Sequence, residues 1–145
     1  MRKRTRARAY SLELLYWLEI TKEKREDKFF SLYPEKRDDF SLSIVSGVKE
    51  NEKAIDKIIK SHLENWKIER LALIDHKILQ IAIYELLFSK DAPAIVIIDE
   101  AIELSKMYST SSSYKIINGI LDKIQRMRNE NNKKIFRNPQ LKYAI

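Results

Sequence analysis

Turn-forming residues are scarce in this chain, whose 145 residues include two glycines, Gly47 and Gly119, and three prolines. Many short strands would need a tight turn about every 8–12 residues, and such turns depend on these residue types. Apolar residues recur instead at helical spacing along most of the chain. The sequence therefore predicts an all-α fold of about seven helices, divided near residue 65.

The most apolar segment is IERLALIDHKILQIAIYELLF, residues 68–88. On a helix its apolar side chains cover more than half of the circumference, which is typical of the central helix of a bundle. Asp75 and Glu85 fall inside the apolar arc, and each is expected to have a partner because an isolated buried carboxylate is costly. That partner is either an intramolecular hydrogen bond or ion pair or, for Glu85 near the helix end, another protein.

Positive charge is concentrated at the two ends of the chain. Out of a net charge of +7, residues 1–10 (MRKRTRARAY) carry +5 and residues 126–145 another +5, which leaves −3 for the middle. Arginines at every second position, from Arg2 to Arg8, point in several directions on a helix. A segment with arginines all round is not expected to pack into a core. It serves either as a solvating arm or as a contact to nucleic-acid phosphates.

The sequence holds no recognisable catalytic constellation. A phosphate-binding loop needs several glycines, and a zinc hydrolase site needs two histidines one turn apart, whereas His62 and His76 are distant. Asp99 and Glu100 are adjacent and point about 100° apart on a helix. We expect no enzyme activity, no cofactor and no metal. Cysteine is absent and the apolar runs are shorter than the roughly 18 residues of a membrane span, so we expect a cytoplasmic protein.

The segment YKIINGILDK keeps helical spacing around Gly119. A glycine inside a helix costs about 1 kcal/mol relative to alanine, so its presence calls for a reason. One interpretation is close approach of a neighbouring helix. The other is close approach of a ligand backbone, with Lys115 and Asn118 supplying polar contacts.

Five segments, in this order and spacing, resemble the NusB family of bacterial transcription antitermination factors. They are RARAYSLELLY, SGVKEN, WKIERLALIDHKILQIAIYEL, APAIVIIDEAIELSK and YKIINGILDK. The resemblance runs from about Arg4 to Lys123. It implies two helical bundles, about 5–65 and about 66–128, within a single domain 1–130. Residues 131–145 are expected to form a basic, Asn-rich tail.

The resemblance also implies a function. Such proteins bind the boxA segment of nascent RNA together with NusE, a small-subunit ribosomal protein, in the antitermination complex of RNA polymerase that supports ribosomal RNA transcription. Carried over by position, the RNA contacts are Arg4, Arg6, Arg8, Tyr16, Lys115, Ile116 and Asn118. The NusE contacts are Tyr84 and Glu85.

Two positions depart from the family pattern. Glu13 stands where the family usually has Gln, and Ile116 stands where many members have an aromatic residue that can stack on a base. These departures keep two alternatives open: a protein-interaction module without an RNA role, and an RNA-binding domain of this type without an antitermination role. A homodimer in the free state is also left open.

Overall fold

A computed structural model of the chain describes residues 1–63 and 68–137, with the backbone alone for residues 132–137. Within these ranges the chain forms seven α-helices and no strand, which confirms the all-α prediction. The helices are α1 (Lys3–Thr21), α2 (Asp27–Leu32), α3 (Asp39–Glu50), α4 (Glu52–His62), α5 (Leu73–Ile83), α6 (Ala94–Tyr108) and α7 (Ser113–Arg137). Short 3-10 turns lie at Pro34–Lys36 and Ile68–Arg70.

Helix α5 occupies the centre of the molecule, as its apolar circumference predicts. It packs against α1 and α3 on one side and against α4, α6 and α7 elsewhere. Ile78, Leu79 and Ile83 are fully buried in it. It continues as a π-helical segment, Tyr84–Ser89. Because α5 contacts helices from both halves of the sequence, a single continuous core joins the two predicted bundles.

The start of α1 is packed, and the expectation of a segment that stays out of the core is wrong. Thr5, Ala7 and Ala9 are buried, and so is Arg8. The small residues that alternate with the arginines supply the packing surface. The arginines do point in several directions, as helical geometry requires, although Arg4 and Arg8 both lie over the Phe40 ring.

Helix α7 continues to Arg137, beyond Met127 where the apolar periodicity of the sequence ends. Arg, Met, Glu and Lys are good helix formers, so the helix persists without an apolar stripe to guide it. Residues 138–145 of the predicted tail lie outside the described residues, as do residues 64–67 at the predicted division.

The two glycines have opposite surroundings. Gly47 lies inside α3, where a Cβ atom would overlap the ring of Tyr84 at the end of the central helix. At Gly119 in α7, an added Cβ atom would have no non-local heavy atom within 4 Å. Close helix packing is therefore the wrong explanation for Gly119 and the right one for Gly47.

We predict that Gly47→Ala and Gly119→Ala shift stability in opposite directions. Overpacking typically costs about 1–3 kcal/mol, which outweighs the gain of about 1 kcal/mol in helix propensity at position 47. At position 119 that gain is unopposed. Urea unfolding of both variants measures the difference, with a lower midpoint expected for Gly47→Ala and a higher one for Gly119→Ala. Equal shifts would contradict the packing described for Gly47.

Candidate nucleic-acid interface

Arg8 and Glu85 form a buried bidentate ion pair between α1 and the π-helical segment. Arg8 Nε and Nη2 each donate a hydrogen bond of 2.8 Å to one carboxylate oxygen of Glu85. The two side chains are 5% and 4% exposed. Burial alone would lower the pKa of the Arg8 guanidinium, but the hydrogen bonds and charge of Glu85 outweigh it and raise that pKa.

Arg8 is expected to contact RNA and Glu85 to contact NusE. The structure places both side chains in the interior, where each is the other's partner. The intramolecular ion pair is thus the interpretation that applies to Glu85. The physical reason is that the charges satisfy one another only when the two helices pack.

A second carboxylate, Glu100 of α6, lies beside this pair. Thr5 Oγ1 donates to Glu100 Oε1 at 2.9 Å, and Arg2 Nη2 donates to the same oxygen at 3.2 Å. Sequence reasoning missed Glu100 as a structural partner because it was considered only as a possible catalytic neighbour of Asp99. The feature that could have identified Glu100 in the sequence is its position as a carboxylate on the apolar side of a helix.

Arg4 and Arg6 remain exposed. They lie on different faces of α1, because residues two positions apart in a helix point about 200° apart. The Arg4 guanidinium carbon sits 3.9 Å from the centroid of the Phe40 ring of α3. Arg6 donates a long hydrogen bond, 3.5 Å, to the main-chain oxygen of Met1. Tyr16, one of the expected RNA contacts, is also exposed. The interface thus keeps Arg4 and Arg6 available to an anion.

The first turns of α7 present the other expected RNA contacts. Lys115, Ile116 and Asn118 are all exposed. The missing side chain of Gly119 leaves open space beside them. This arrangement leaves room for a ligand backbone, which was the alternative interpretation of the glycine.

Two hydrogen bonds anchor the chain where α6 ends and the loop before α7 begins. Tyr108 donates a hydrogen bond of 2.7 Å to Glu13 of α1, and Ser109 donates one of 2.5 Å to the buried Asp75 of α5. The expected partner of Asp75 is therefore Ser109. Burial and the hydrogen bond to Glu13 together raise the pKa of Tyr108 far above its ordinary value.

Lys36 neutralises Glu13, the negative charge expected near the RNA. Its Nζ lies 2.7 Å from Glu13 Oε2, and this contact raises the pKa of Lys36. No local pattern predicts this pair, because Lys36 lies in a short charged connector and reaches Glu13 only when the 3-10 turn packs near α1.

Tyr84, an expected NusE contact, is half-buried against α3. Its ring lies over Gly47 and stacks on Phe88 with a centroid separation of 6.4 Å. Phe88, Ile95 and Val96 are exposed nearby in sequence. The structure therefore keeps part of the Tyr84 side chain at the surface while Glu85 turns inward.

Within residues 1–63 and 68–137, no group of three His, Cys, Asp or Glu side chains is placed to hold a metal ion. No helix there is long and apolar enough to cross a membrane.

The sequence and fold match known proteins of one family. The sequence model of the NusB family matches residues 5–126. Transcription antitermination protein NusB of Clostridium perfringens is 40% identical over 128 residues, covering 83% of this chain and 95% of that protein. The crystal structure of NusB from T. maritima superimposes with a TM-score of 0.75 at 36% identity, covering 86% of this chain and 92% of that one. A chain of the crystal structure of antitermination factors NusB and NusE in complex with double-stranded RNA gives a TM-score of 0.77 at 26% identity, covering 88% and 98%.

Proposed function

The chain belongs to the NusB family, and on this premise we propose that it is a transcription antitermination factor that binds boxA-type RNA together with NusE. Its relatives are named as antitermination proteins, and a structural neighbour is bound to NusE and RNA. The observation that carries the proposal is the pair of exposed polar surfaces at the starts of α1 and α7. The proposed role of the protein is binding rather than catalysis, and it acts in the cytoplasm.

Arg4 and Arg6 contact the RNA phosphates from α1, and Lys115 and Asn118 contact the RNA from α7. This assignment is supported by the exposure of all four side chains and by their positions on regular helices. Arg8 does not contact RNA, since Glu85 already satisfies its guanidinium. Ile116 adds an apolar contact in place of a stacking ring.

Tyr84 contributes to the NusE surface, and the exposed ring of Phe88 extends that surface. The two rings are nearly parallel, with 8° between their planes. Glu85 supports this surface from within, because its bond to Arg8 holds the π-helical segment against α1. The partner surface is therefore aromatic.

Salt-dependent RNA binding is the first test of this function. Neutralisation of three phosphates on single-stranded RNA, by Arg4, Arg6 and Lys115, gives a log–log slope of the association constant against salt near −2, at about 0.7 per phosphate. We expect this slope when a fluorescent boxA-type RNA is titrated at several salt concentrations, and tighter, boxA-selective binding when NusE is added.

A scrambled RNA of equal length serves as the control in the same titration. Weak binding to both RNAs with a flat salt response, regardless of NusE, would contradict the proposal. Retained NusE binding under those conditions would favour a protein-interaction module instead.

A further inference from the structure

Glu13 joins three elements that are distant in sequence. One carboxylate oxygen accepts the hydroxyl hydrogen of Tyr108 at the end of α6, and the other lies 2.7 Å from the ammonium of Lys36 in the 3-10 turn. Glu13 itself lies on α1, where the side chain is half-buried. We call these three residues the Glu13 bridge.

The Glu13 bridge lies between the two proposed RNA-binding surfaces. Glu13 follows Arg6 by seven residues, which places both on one face of α1 about 10 Å apart. Tyr108 ends α6, and α7 begins at Ser113 after a short loop. That loop carries two turn hydrogen bonds, from the Ser109 amide to the Ser105 carbonyl and from the Ser113 amide to the Thr110 carbonyl.

We infer that Glu13 is a positioning residue for RNA binding: through Tyr108 it fixes the loop that leads into α7, and Lys36 cancels its charge so that it does not repel phosphates. This inference rests on the proposed RNA function. An unpaired carboxylate about 10 Å along α1 from Arg6 is separated from it by no more than about one Debye length at salt concentrations up to 0.1 M, so it repels a phosphate held there at low salt. The Glu13 bridge thereby holds the loop before α7 in place and leaves no net negative charge near the RNA phosphates.

The electrostatic part is tested with Lys36→Met, which keeps the length of the side chain and removes its charge. Affinity for boxA-type RNA should fall about threefold at low salt and recover toward the wild-type value at high salt. Lys28→Met is the matched control, since it also removes one positive charge and frees a half-buried carboxylate, Glu23. Adding Glu13→Gln to Lys36→Met should restore affinity, because Gln carries no charge and still accepts the Tyr108 hydrogen bond.

The positioning part is tested on the free protein by hydrogen exchange at the Ser109 and Ser113 amides. Tyr108→Phe removes one hydrogen bond to a charged group, so exchange at both amides should speed up about tenfold. Glu13→Gln should speed exchange only about threefold, because a neutral acceptor keeps the hydrogen bond at about half its strength. Tyr16→Phe controls for loss of a hydroxyl from an exposed tyrosine, and the Leu42 amide, bonded to the Asp38 carbonyl, should not change.

Two results would overturn the inference. One is unchanged exchange at Ser109 and Ser113 in Tyr108→Phe, and the other is a loss of RNA affinity in Lys36→Met no larger than in Lys28→Met. Failure of the proposed function is distinguishable from both: the wild-type protein would then show no selective, salt-dependent RNA binding, while the exchange rates of the free protein would still report the anchor.

Discussion

Replacement of Glu85 by alanine is expected to lower the free energy of unfolding by about 3 kcal/mol. Removing one partner of a buried ion pair typically costs about 3–5 kcal/mol, because the other charge is left buried without compensation. The value should fall at the lower end, since Glu100 also contributes to the raised pKa of Arg8. Urea unfolding followed by circular dichroism measures the change.

Two variants make the Glu85 result interpretable. Arg8→Met combined with Glu85→Leu removes both charges and keeps apolar volume, and such exchanges are often neutral or stabilising. Asp27→Ala breaks an ion pair with Arg25 in which both side chains are largely exposed, so no measurable change is expected. If Glu85→Ala were as stable as Asp27→Ala, Arg8 would not depend on its buried partner.

The helices could be predicted from the sequence because their signal is local. Apolar spacing located α5 and its central place, and the scarcity of glycine and proline excluded a strand-rich fold. These features arise within a few turns of one helix. No comparable local signal exists for the side-chain pairs, since Arg8 and Glu85 are 77 residues apart in sequence.

The site was only partly predictable for the same reason. Arg6 and Lys115 are exposed, as is usual for charged side chains, and both positions came from the family resemblance. The burial of Arg8 depends on Glu85, and the neutrality of Glu13 depends on Lys36. Local sequence does not distinguish the alternating arginines from one another. Tertiary contacts determine which of them are exposed and available to bind RNA.

Replacement of Arg4 and Arg6 together by glutamate is expected to weaken RNA binding roughly 100-fold at 50 mM salt. Each phosphate contact contributes about 0.7 log units of affinity per tenfold decrease in salt. Between 1 M and 50 mM salt, two contacts therefore contribute a factor of roughly 70 to the affinity, which the variant loses. Repulsion between the new carboxylates and the phosphates adds to this loss. The deficit should shrink to about tenfold at 200 mM salt. The measurement is a fluorescence titration with boxA-type RNA in the presence of NusE.

Arg8 must stay unchanged in this variant, although the sequence alone would include it with the other arginines. Arg8→Glu would place a third carboxylate beside Glu85 and Glu100 and would unfold the protein. A loss of RNA binding in that variant would therefore not show whether Arg8 contacts phosphates. With Arg8 intact, Arg4→Glu/Arg6→Glu should stay folded and keep its NusE affinity, losing about 0.5–1 kcal/mol of stability with the Arg4–Phe40 contact. Unchanged RNA affinity in that folded variant would exclude α1 from the RNA interface and leave α7 as its only proposed contact.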